Sequence, residues 1–272
     1  MANWTPDTVD WSRFDAARVS PALLAIAKAA ALVENNGRDY ARYLAGVFAD
    51  DPEFQAAAAR WAVEEVRHGA ALARWAMLAD PRWDFAAAAA RFTAGYRVDI
   101  DATRSVRGSR TGELIARCIV ETGTSSYYGA IADAAEEPVL AEICRRIAAD
   151  EFRHYKLFYD HMRRYQTRER LGRLGRLRVG LGRLIEAGDD ELAYAFFAAN
   201  APADAIYDRR TWSRAYERLA YALYRPGHVA RGVAMAMKAV GLPSNGRLHA
   251  VIWQLAARAL TWRARRLSAR TA

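Results

Sequence analysis

The chain has 272 residues, 53% of them hydrophobic, with 40 Lys and Arg against 31 Asp and Glu for a net charge of +9. That length and apolar content exclude a mainly disordered protein and suffice for one large domain, residues 1–272, with its own core. Two cysteines, Cys118 and Cys144, exclude a disulfide framework and offer no CxxC site. Abundant alanine with sparse glycine and proline favours helices over sheets.

The N-terminal stretch MANWTPDTVDW lacks the basic region and apolar run of a signal peptide, and no run of about 18 apolar residues is present to span a bilayer. A soluble, reduced, cytoplasmic setting is expected, without a transmembrane segment.

Ser20 and Pro21 read as a cap and first helical residue, opening a helix to about Phe48. Asp51 and Pro52 open a second, ending near Asp80, and a shorter helix follows from about Asp84 to Tyr96. A charged connection leads to a third long helix from near Ser109 to about Ala135. Glu137 and Pro138 open a fourth, reaching about Tyr165.

Beyond it, Leu171 to Leu184 carries glycines among leucines and arginines, which predicts a bent amphipathic helix or a loop lying on another surface. Further helices are expected over about Glu191–Ala199, Ala203–Tyr224, Gly227–Val240 and Gly246–Arg266. The fold class is therefore all-α: a bundle over residues 20–165 with additional C-terminal helices, an arginine-rich extension over 166–272 packed on it.

Eight arginines and one glutamate lie between His161 and Arg183, and five more arginines crowd residues 258–270. Such a surface attracts an acidic carrier protein, a phosphorylated ligand, nucleic acid or anionic lipid, although a solvated arginine face explains it equally well. Aromatics are not interleaved with the basic run, so specific nucleic-acid binding is not expected.

Two stretches carry chemistry. EEVRHG, Glu64 to Gly69, and DEFRHY, Asp150 to Tyr155, each place a glutamate and a histidine three residues apart. In a helix such residues share a face, so Glu65 with His68, and Glu151 with His154, can grip one metal ion each. One pair alone reads as a salt-bridging surface. Two further carboxylates change this: Glu34 in AALVENN and Glu121 in CIVETGT sit in apolar contexts where an unpaired charge costs several kcal/mol. Glu34 and Glu121 are 87 residues apart and Glu65 and Glu151 are 86, so a helical hairpin is used twice.

Packed together, two such hairpins bring four carboxylates and two imidazoles into a bundle, the arrangement of ferritin-like dimetal carboxylate proteins. Four carboxylates offset two divalent cations, and hard oxygen ligands with one imidazole per metal suit iron, or manganese, over copper or zinc. Glu65 and Glu151 would bridge the ions, with Glu34 and Glu121 binding one each. Asp150 and Glu64 are placed to accept the second ring hydrogen of His68 and His154 respectively, and Arg67 and Arg153 to neutralise those outer acids.

With these residues the chain resembles the acyl-acyl-carrier-protein desaturases of the ferritin-like superfamily. EEVRHG and LAEICRRIAADEFRHY, Leu140 to Tyr155, carry the likeness, which runs from about Ala31 to Tyr159; a weaker likeness to rubrerythrins occupies the same helices. The resemblance implies a non-haem diiron centre that uses dioxygen as co-substrate to oxidise an unactivated carbon. Desaturation of an acyl chain on an acidic carrier protein leads, with a ferredoxin-like electron donor. It also implies that Thr124, three residues after Glu121, stands on the dioxygen-binding side.

Hydroxylation, N-oxygenation and oxidative decarboxylation remain alternatives, because similar ligation serves them all. A rubrerythrin- or ferritin-like peroxidase or ferroxidase is another, although the chain has no rubredoxin cysteines. A basic binding module with structural metals is a third class, and a homodimer is left open.

Tyr128, seven residues after Glu121, should lie near the metals and relay an electron or line the substrate channel, with core packing the competing reading. Trp61 and Trp75 should face the bundle interior as core. Cys118 is expected to be a small buried residue, His161 to have a cap or surface role, and His228 and His249 are assigned nothing.

Overall fold

The computed structural model describes residues 4–186 and 190–269. Among them are eleven α-helices and no strand: α1 Pro21–Asn35, α2 Gly37–Val47, α3 Pro52–Ala79, α4 Phe85–Gly95, α5 Arg110–Ala134, α6 Pro138–Glu169, α7 Arg173–Glu186, α8 Asp190–Asn200, α9 Arg209–Ala222, α10 Pro226–Ala239 and α11 Gly246–Ser268. Three short 3-10 turns precede α1. None of the helices is long and apolar enough to cross a membrane.

The long helices start where cap chemistry directs. Ser20, Asp51, Ser109 and Glu137 each accept a hydrogen bond from a backbone N–H of the first turn, and Pro21, Pro52 and Pro138 fill first helical positions. Asp51 does more, because its other oxygen accepts the Tyr165 hydroxyl at 2.6 Å and ties the start of α3 to the end of α6. The hairpins form as α1 on α3 and α5 on α6, and α3 meets α6 across the bundle.

The helix expected to run unbroken to Phe48 breaks at Asn36, two residues past Glu34. The close approach of the next segment explains the break: a Cβ on Gly37 would lie 2.5 Å from Glu65 Cβ. Gly69 serves the same end from α3, where a Cβ would meet the Asn35 nitrogen at 2.9 Å and the Ala31 oxygen at 3.0 Å. Two glycines thus let α1 and α2 approach α3 at the residues expected to bind metal.

The ambiguous Leu171–Leu184 segment is helical, as α7, and packs on α5. Gly180 is its buried residue, and a Cβ there would meet Val240 at 2.5 Å. The helix expected from Ala203 begins only at Arg209, because Asp208 is the residue that caps it, accepting from the Thr211 N–H. Helices α8, α9 and α10 pack against α1 and α5, and α11 rests on α9 and α10. Trp61, Trp75, Cys118 and Cys144 are buried.

Candidate metal centre

Six side chains from four helices converge in the bundle: Glu34 from α1, Glu65 and His68 from α3, Glu121 from α5, and Glu151 and His154 from α6. Glu34, Glu65, His68 and Glu151 offer ligand atoms within 4.8 Å of one another, and so do Glu65, Glu121, Glu151 and His154. The groups overlap in Glu65 and Glu151, the geometry in which two shared carboxylates lie between two ion positions. Glu34, Glu121, Glu151, His68 and His154 are all buried.

The outer residues orient the rings. His68 Nε2 lies 3.0 Å from Asp150 and His154 Nε2 lies 2.9 Å from Glu64, so each ring hydrogen has a carboxylate acceptor on the opposite hairpin. This leaves both Nδ1 atoms facing inward, His68 at 3.2 Å from Glu151 and 3.3 Å from Glu34, His154 at 3.0 Å from Glu65. Arg67 donates to Asp150 at 3.0 Å and lies 3.6 Å from Glu64, while Arg153 donates to Asp150 and, at 3.3 Å, to Glu64. Both arginines therefore serve both outer acids.

The inward atoms are badly served by the protein alone. Glu65 Oε1, Glu121 Oε1, Glu151 Oε1 and His154 Nδ1 are buried without an aligned hydrogen-bond partner. Each such group left unsatisfied costs about 1–3 kcal/mol, more when charged. Four carboxylates, two imidazoles and these orphaned atoms fit a pair of divalent cations of the iron or manganese type.

Electrostatics agree. Burial, reinforced by the neighbouring Glu151 and Glu34 charges, pushes Glu65 up to about 8, and burial raises Glu34 and Glu121 as well. Burial opposes charge on both imidazoles, but hydrogen bonds to carboxylates outweigh it, raising His68 well above its ordinary value and His154 to about 9. Glu151 goes the other way: burial would raise it, yet His68 and His154 hold it down at about 2. The His154 hydrogen bond lowers Glu64; at Asp150, burial is overcome by His68, Arg153 and Trp4. Without metal the cluster holds protons, and cations bind by displacing them.

Thr124 donates to Glu151 Oε2 at 2.6 Å, and the Tyr128 hydroxyl donates to Glu34 Oε1. Both also line a cavity of about 620 Å³ between α1 and α5, roofed by α7 to α11, whose walls are mostly apolar. Glu34 reaches it too, so one cluster carboxylate faces the cavity directly. The C-terminal helices, read from sequence as a basic surface, also form the cavity wall.

Several residues escaped the sequence reading. Trp4 donates to Asp150 at 2.9 Å and its ring stacks on His68 with centroids 5.9 Å apart. Its distance in sequence from either ligand motif leaves no local signal. Buried Arg117, one turn before Glu121, sits within electrostatic reach of it and of Glu113 and Glu191; its place on the Cys118–Glu121–Thr124 helix was the available clue. His228 lines the cavity and bonds Asp133 at 2.9 Å. His161 takes no part in the cluster and lies 2.9 Å from the Arg164 guanidinium, and His249 faces the Ala230 carbonyl.

Comparison with known families follows the same lines. A model described as Fatty acid desaturase matches residues 48–169, and one described as Rubrerythrin matches residues 114–227. They overlap across α5 and α6, and Glu34 lies outside both, so its place in the cluster rests on the geometry. No curated protein matches the chain. The two matches support a ferritin-like diiron superfamily resembling acyl-acyl-carrier-protein desaturases, and together with the carboxylate–histidine cluster they support a diiron oxidoreductase.

Proposed function

We propose that the protein is a dioxygen-dependent oxidase of an extended apolar chain, desaturating an acyl substrate at a dimetal centre held by Glu34, Glu65, His68, Glu121, Glu151 and His154. One observation carries the reading: the cavity that meets Glu34, Thr124 and Tyr128 is apolar and, at about 620 Å³, falls within the roughly 300–1,000 Å³ of small-molecule sites. A pair of reduced iron ions held by these residues would supply the reduction of dioxygen and the oxidising power to take hydrogen from an unactivated carbon. The reaction balances as loss of two hydrogens from adjacent methylenes, with two electrons from a ferredoxin-like donor and two protons from solvent, reducing dioxygen to two waters.

The chain's own residues do the positioning. Apolar walls from α1, α5 and α10 exclude water and align the hydrocarbon beside the cluster. Thr124 fixes the orientation of Glu151 from the cavity side, and Tyr128 fixes Glu34 while holding a proton that burial keeps on its hydroxyl. The arginine-rich α7 to α11 region supports docking of an acidic carrier that delivers the acyl chain.

The Rubrerythrin match favours a second reading, reduction of hydrogen peroxide, which makes no use of an apolar cavity. Gly123 separates the two. It lines the cavity next to Thr124, and a Cβ there meets nothing within 4 Å, so Gly123→Leu adds a side chain at the cavity wall with no clash at its Cβ. In iron-loaded, chemically reduced protein given acyl substrates and oxygen, a product two hydrogens lighter is expected, with turnover falling about 100-fold in Gly123→Leu at unchanged iron content. Peroxide consumption that Gly123→Leu leaves intact, without any acyl product from the wild type, would overturn the desaturase reading in favour of the second.

A further inference from the structure

The apolar cavity has a neighbour of different character. A second cavity, of about 640 Å³, opens between α7, α9 and α11, and Leu181, Leu184, Ser213, Glu217 and Tyr221 line both. Those shared side chains stand between the two spaces. On the far side stand Arg210 and Arg214 from α9 and Arg263 from α11.

The charges there are unevenly matched. Glu217 is the single lining carboxylate among the described residues; it is buried, pairs with Arg263 at 2.6 Å and accepts from the Tyr221 hydroxyl at 3.4 Å. Arg210 and Arg214 are exposed and form no ion pair or hydrogen bond among the described residues, with exposed Asp208 their acidic neighbour. The inner cavity is walled mostly by apolar surface, with Arg183 its one guanidinium among the described lining residues, whereas Arg210 and Arg214 in the outer cavity present paired donors to carboxylate or phosphate oxygens.

We propose that this outer cavity is a head-group subsite, taking the anionic end of a single-chain amphiphile, a carboxylate or a phosphate ester, whose hydrocarbon occupies the apolar cavity beside Glu34, Thr124 and Tyr128. The inference rests on the reading of that cavity as a substrate site and deepens it. Anchoring one end at Arg210 and Arg214 fixes how far along the chain the cluster lies, so the subsite sets which carbons are presented. Glu217 and Arg263 form a polar collar between head and tail, neutral as a pair, that hydrocarbon must pass.

The test uses the full-length, iron-loaded protein and three probes of equal chain length: a long-chain carboxylate, an alkyl phosphate and the neutral alcohol. Binding is measured by calorimetry at low and at high salt. At least one anionic probe should bind about tenfold more tightly than the alcohol, with the margin shrinking in high salt. In Arg210→Gln with Arg214→Gln the margin should fall below about twofold while alcohol affinity is unchanged. Both positions are exposed, so an unchanged melting temperature will show that the fold is retained.

Preference for the carboxylate identifies a free acid as the head, and preference for the phosphate identifies a phosphate ester; either supports the subsite. Equal binding of all three wild-type probes, or an anionic margin that survives the double substitution, would overturn the subsite and leave the apolar cavity standing. Failure of every probe to bind would remove the substrate-cavity reading and the subsite with it.

Discussion

The two halves of the metal cluster repeat each other in sequence and differ in enclosure. Behind His68, Asp150 is buried and receives Trp4, Arg67 and Arg153 in addition to the ring. Behind His154, Glu64 has a side chain 23% exposed and receives the ring, Arg153 at 3.3 Å and Arg67 at 3.6 Å. The repeated hairpin supplies equivalent ligands; the segment before α1, present once in the chain, breaks the equivalence by laying Trp4 over one half only. Ligand identity is a local property of each hairpin, and ligand rigidity depends on what else the chain folds against it.

The largest effect comes from removing what the halves have in common. Glu65→Ala with Glu151→Ala deletes both carboxylates shared by the two ligand groups, and elemental analysis should then find essentially no iron, against about two ions per chain expected in the wild type. Two ions retained in that variant would refute the ligand assignment.

Protons probe the halves together. Glu65, raised to about 8, and His154, raised to about 9, each contribute stability that is present below their ordinary values and lost as pH rises through the raised ones. Metal-free protein should therefore lose thermal stability between about pH 7 and 9, while metal affinity climbs over the same interval by up to about tenfold per pH unit for each proton displaced. Melting curves recorded with and without chelator will separate the trends, and a metal-free protein growing more stable toward pH 9 contradicts the electrostatic picture.

Smaller effects should distinguish one half from the other. Asp150→Asn should weaken metal binding about 10- to 100-fold, whereas Glu64→Gln, at the more exposed position, should stay near the lower end of that range; equal losses in competitive titrations would mean that enclosure is irrelevant. The least disruptive change is Trp4→Phe, which keeps the stacked ring over His68 and removes the hydrogen bond to Asp150, at a cost of about 1 kcal/mol in chemical denaturation.

The ligand pairs were legible because their chemistry is written in helical spacing: Glu65 with His68 and Glu151 with His154 need only one turn of helix to share a face. Asp150 and Glu64 were legible for the same reason, each standing one residue from a cluster glutamate. The long-helix starts could be read from Ser20, Asp51, Ser109 and Glu137, whose side chains cap their own first turns. The helix start expected at Ala203 came too early, because the cap lies five residues on at Asp208. Trp4, Arg117 and the break at Asn36 depend on which distant residues come close, as does the cavity, whose walls are gathered from α1, α5 and the C-terminal helices. Local spacing carries no record of such meetings.

The buried cysteines have a consequence for chemical durability. Burial raises the thiol of Cys118, and the nearby Glu121 charge raises it further; burial raises Cys144 as well. These are the only two cysteines in the chain, and each stays a neutral thiol, shielded from solvent, across the physiological pH range. Under the proposed dioxygen chemistry, an oxidant formed at the cluster would threaten nearby thiolates first. The thiol three residues from Glu121 and the one within reach of the Glu34 charge are both kept in their least reactive form.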